Sequence, residues 1–139
     1  MQSTIAYIIF TAFLVGIMVS VSLVGTQQFM AQSQVSTGVE LRNVVLLVEK
    51  EMLDVHNAVL DTHQSITVRV SVNKYVQGRG YELTLKDGTL KGSSGAVTFE
   101  ATLPNLLHVE WDDGIFKSGA NYVTISGMYD DGLIVVTLN

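Results

Sequence analysis

The sequence predicts an α+β protein, a long N-terminal hydrophobic α-helix followed by a small antiparallel β-sandwich-like domain. Three observations carry this. Ile5 to Val24 (IAYIIFTAFLVGIMVSVSLV) is almost wholly apolar and uncharged, and no proline interrupts the chain before Pro104. Apolar residues then recur at helical spacing to Leu60, and beyond Asp61 the period shortens to two, with turn residues at regular intervals. The expected division is a helix over residues 1–61 and a β-rich domain over 62–139.

The helix has three parts. Residues 5–24 are long enough to cross the ~30 Å hydrocarbon core of a bilayer. The middle turns polar with Gly25, Thr26, Gln27, Gln28, Gln32, Ser33, Gln34, Ser36 and Thr37, yet there is no Asp, Glu, Lys or Arg before Glu40. A helix leaving a membrane for water has no reason to avoid charge for so long. One enclosed by other helices does, because an unpaired charge is costly to desolvate while Gln and Ser can hydrogen-bond to neighbours. If continuous from Gln2 to Leu60, this helix measures roughly 90 Å at about 1.5 Å per residue.

Candidate helix-to-helix assembly residues lie in the first part. Ala12, Gly16 and Ser20, four apart, share one face and permit close approach of another helix; the alternative is that small residues are merely common in membrane spans. Ile5, Tyr7, Phe10 and Phe13 read as packing residues, and Gly25, with Gly38, as a place where the helix can bend. The third part, residues 41–60, is amphipathic. Leu41, Val45, Val48, Met52, Val55 and Val59 form one apolar stripe, and Leu46, Leu53 and Leu60 a second row about 100° round the helix. Either one stripe serves the β-domain and the other a neighbouring subunit, or both serve one wide intramolecular core. Lys50 and Asp54 fall off the stripe as an i,i+4 pair.

Ser65 to Val72 alternates as a half-buried strand, and Gln77 to Gly80 is a turn. Tyr81 to Leu85 and Thr89 to Lys91 form a hairpin around Asp87-Gly88, a pair suited to a type I′ turn. A loop is expected at Gly92 to Gly95, then a strand from Ala96 to Leu103 ended by Pro104. Strands at Leu106 to Trp111, Ile115 to Lys117, Tyr122 to Ser126 and Leu133 to Leu138 are separated by turns at Asp112-Asp113-Gly114, Ser118 to Asn121 and Asp130-Asp131-Gly132. The apolar LIVVTL strand must be central or covered, because such an edge would aggregate.

In layout the whole chain resembles the type IV pilin superfamily, most strongly over MQSTIAYIIFTAFLVGIMVSVSLVG. Members carry a short leader removed by a dedicated peptidase, a long N-terminal helix with an apolar front half, and a small β-rich domain. Bacterial members usually have glutamate at the fifth mature position. Ile5 stands there here, which points to archaeal pilins and archaellins. No basic leader stands ahead of the apolar run, so either the numbering begins at the mature N-terminus or the chain is not processed in this way. The resemblance implies a homo-oligomer of many copies in an extracellular cell-surface filament, held in the cytoplasmic membrane before a pilus assembly machinery extracts it.

Chemistry is sparse in the sequence. There is no cysteine, no phosphate-binding glycine loop and no nucleophile elbow. His56, His63 and His108 are too scattered for a metal site, and His56 and His63 read as solvated or capping residues. The two Asp-Asp-Gly turns lack the further carboxylates of a calcium loop and are sufficiently explained as turns. No catalytic residue, cofactor or metal ligand is therefore expected. The net charge of −5, without a basic patch, argues against a nucleic-acid partner. What remains is a structural filament subunit, of an adhesive pilus in preference to a swimming archaellum, or a membrane-anchored binding module such as a minor pilin.

Overall fold

The computed structural model describes Gln2–Asn139, with side chains from Ile5 onward. The two alternatives for the N-terminus turn on Met1, which lies outside the described residues. Helix α1 runs from Gln2 to Thr62 and stays helical through Gly25 and Gly38. The chain packs as two units, one ending at Val35 and the other comprising Ser36–Asn139, so the division falls within the helix.

In the first unit every residue from Ile5 to Gln32 is exposed. The second unit holds the rest of α1 and eight strands: β1 (Ile66–Ser71), β2 (Glu82–Lys86), β3 (Thr89–Ser94), β4 (Val97–Thr102), β5 (Val109–Trp111), β6 (Gly114–Lys117), β7 (Tyr122–Asp130) and β8 (Leu133–Leu138). They form two four-stranded sheets, ordered β1-β7-β8-β5 and β4-β3-β2-β6. The sheets are mostly antiparallel, as expected, but β5 runs parallel to β8. The apolar β8 is covered on both sides, by β7 and by β5.

The chain reverses where the turn chemistry requires. Asp87-Gly88 and Asp131-Gly132 link paired strands with positive φ at both central residues (49° and 72°, 43° and 91°), the signature of type I′ hairpins. At the end of α1 His63 takes φ 54° and donates its backbone N–H to the Val59 carbonyl at 2.8 Å, closing the helix without a glycine.

Two segments differ from the sequence expectation for one reason. Gly92 to Ser94 belong to β3 and not to a loop, and β7 continues past Ser126 through Gly127. Both glycines lie where a sheet meets the helix. A Cβ on Gly92 would stand 2.6 Å from Val45 Cγ2, and one on Gly127 2.7 Å from Val55 Cγ1. Glycine at these positions trades strand propensity for contact distance. A third departure is Gly114, which starts β6 instead of ending a turn; a Cβ there would meet the Leu138 carbonyl oxygen at 2.2 Å.

The core is built around the second half of α1. Leu41, Val44, Val45, Val48, Met52, Val55 and Val59 are buried together with Leu83, Leu85 and Leu90 of one sheet and Val123, Ile125, Val136 and Leu138 of the other. Removing each such side chain from water contributes about 1.5–3 kcal/mol, which makes this helical stretch an integral part of the β-domain.

Candidate assembly surface

Two surfaces hold the residues singled out in the sequence, one on each unit. On the first unit, Ile5 is 58% exposed, Tyr7 71%, Phe10 59% and Phe13 64%. Ala12 is also exposed, and nothing lies within 4 Å of a Cβ placed on Gly16 or Gly25. The window of highest apolarity has a mean hydropathy of 2.5, so α1 is long and apolar enough to cross a membrane.

The hydroxyls of this segment turn back onto their own helix. Thr11 donates to the Tyr7 carbonyl at 2.8 Å, Ser20 to that of Gly16 at 2.9 Å and Thr26 to that of Ser22 at 2.8 Å. Each hydroxyl thus has a partner without water, which suits a helix placed in lipid or among other helices. Together with the lack of charge before Glu40, this leaves an exposed helix that is uncharged all round, with the amides of Gln27, Gln28 and Gln32 among its polar groups beyond Val24.

On the second unit the two expected stripes part company. Leu41, Val45, Val48, Met52, Val55 and Val59 are at most 2% exposed and face the sheets. Leu46 is 38% and Leu60 49% exposed, with Leu53 half-buried between them. The row Leu46–Leu53–Leu60 therefore runs along the side of α1 that the sheets leave open. Lys50 and Asp54 form an exposed ion pair at 3.8 Å, too solvated to matter much for stability.

Elsewhere the side chains are engaged structurally. His56, expected to be solvated or capping, is instead buried, its ring centroid 6.3 Å from that of Trp111 and its Nδ1 3.2 Å from Asn57 Oδ1. His63 packs edge-on against Tyr129 at 4.7 Å while capping the helix. Glu40, the first charge of the chain, accepts the backbone N–H of Gln77 at 3.1 Å and also the Gln77 side-chain amide. Tyr81 is buried, donates its hydroxyl to the Asn73 carbonyl at 2.6 Å, and burial pushes its pKa up to about 12. Among the described residues no group of His, Asp and Glu is arranged to hold a metal ion.

Gly92, expected in a loop, and Gly127, given no role in the sequence, set how closely the sheets approach α1. The available signal was a glycine flanked by strand residues, a pattern that marks close backbone approach as readily as a loop.

No protein-family model, curated protein or solved structure matches the chain.

Proposed function

We propose that this chain is a structural subunit of an extracellular helical filament of the archaeal type IV pilus kind. Its apolar helix packs in the filament core and its β-domain faces outward to serve adhesion. The observation that carries this is the all-round exposure of an uncharged helix from Ile5 to Gln32. Of that stretch a bilayer accounts for Ile5 to Val24 but not for the uncharged Gln27, Gln28 and Gln32, whereas neighbouring helices account for both.

Before assembly the subunit waits in the membrane with Ile5 to Val24 as its span, and an assembly machinery then extracts it. Exchange of lipid for packed helices offers little hydrophobic gain, since both surroundings are apolar. Close packing against many neighbours supplies the association energy instead, and Ala12, Gly16 and Ser20 provide the face where backbones can approach.

The test is to shear the surface of cells expressing the chain and identify the sheared protein by mass spectrometry. Recovery of this subunit in the sheared polymer supports the filament. A chain that stays wholly with the membranes is an anchored β-domain, and polymer present only on swimming cells, and needed for swimming, replaces adhesion with motility.

A further inference from the structure

The unit Ser36–Asn139 is charged unequally along the helix that runs through it. Near Glu40, the segment Lys74–Arg79 is pinned to the core by the buried Val76 and exposes two cations, Lys74 and Arg79, to either side of Tyr75, which is 54% exposed. Among the described residues neither Lys74 nor Arg79 takes part in an ion pair.

Near His56 the balance is reversed. A cleft of about 430 Å³ opens beside Trp111, with Leu103 and Val109 as apolar walls and the carboxylates of Asp87 and Glu110 at its edge. The indole N–H is already committed to the Pro104 carbonyl at 3.2 Å, so the ring offers its π surface and not a donor. Asp113 adds negative charge, accepting the backbone N–H of Asp87 at 3.3 Å. An aromatic ring flanked by carboxylates that form no ion pair among the described residues is chemistry for a Lys or Arg side chain.

The two sites are anchored at different levels of one helix. Glu40 and His56 are separated by about 24 Å of helix at about 1.5 Å per residue. Different patches that complement each other make a head-to-tail contact, and for parallel copies such a contact propagates instead of closing.

We infer that the exposed Lys74 and Arg79 side chains of one copy reach the Trp111 cleft of the next, against Asp87 and Glu110. The occupant is thus a second copy of this chain, displaced along the helix direction by about 24 Å. This contact deepens the filament reading and rests on it. Because it is electrostatic and near the surface, it weakens as salt shortens the Debye length from about 10 Å at 0.1 M.

The absence of cysteine permits a direct test on the full chain in detergent micelles. An Arg79→Cys chain and a Glu110→Cys chain are mixed under mild oxidation, with oligomer size followed in parallel. A disulfide-linked dimer in the mixture, absent from either chain alone, is the expected result. Oligomers that form without that cross-link, or a mixture that stays monomeric at every concentration, overturn the contact, whereas the filament reading stands or falls on polymer sheared from cells.

A charge exchange gives an independent readout. The pair Lys74→Glu and Arg79→Glu should abolish polymer, as should Asp87→Lys with Glu110→Lys, and a chain carrying all four should regain it. Failure of the combined chain to polymerise, with its β-domain folded by circular dichroism, counts against the contact.

Discussion

Gly127 lies directly beneath Val55: a Cβ added to the glycine would stand 2.7 Å from Val55 Cγ1 and 2.8 Å from Val59 Cγ2. Gly92 makes the equivalent approach on the other sheet, toward Leu41 and Val45. The second half of α1 is therefore seated on both sheets at contacts that tolerate no side chain. Gly127→Ala should destabilise the domain by about 1–3 kcal/mol through overpacking, since valine has little freedom to yield. Urea unfolding of the detergent-solubilised chain measures this, and an unchanged midpoint would mean that the helix shifts without cost.

Val48 is fully buried in the core, and Val48→Asp would place a carboxylate there without a partner. A loss above about 4 kcal/mol is expected from desolvation of the charge, enough to release α1 from the sheets. Limited proteolysis should then cut near Leu60 in the variant and not in the parent chain.

Gly16→Leu separates assembly from folding. Nothing lies within 4 Å of a Cβ at this position, so the β-domain should unfold at the parent's temperature. Filaments should fail because the close-approach face is lost. Normal filaments from this variant would make the small-residue face incidental.

Tyr81 supplies a prediction in pH. Its pKa is raised by burial from the usual 10 to about 12, so the folded state holds the phenolic proton more tightly than the unfolded one. The stabilisation is complete below pH 10 and is lost as pH rises through about 12. The difference in melting temperature between the parent and Tyr81→Phe should therefore be constant below pH 10 and narrow above it. A constant gap through pH 12 would show that the phenol titrates alike in both states.

Much of this architecture was legible because local chemistry and tertiary need agree. The Leu41-to-Val59 stripe is buried, and the Asp87-Gly88 and Asp131-Gly132 turns demand backbone angles that few other pairs adopt. Gly92 and Gly127 were missed because their role depends on helical side chains distant in sequence. The parallel β5–β8 pair was equally hidden, since pairing direction is a property of topology and not of alternation within either strand. The exposed helix presents the opposite situation, for its apolar and uncharged character is plain in the sequence while the covering we propose for it would come from other molecules.

That covering is the central claim, and cryo-electron microscopy of surface-sheared material from cells expressing the chain tests it most directly. The predicted result is a helical polymer whose centre holds α1 from Ile5 to Gln32, enclosed by the same segment of neighbouring copies. Surfaces bare of polymer, with the chain recovered as a monomer spanning the membrane, would contradict it.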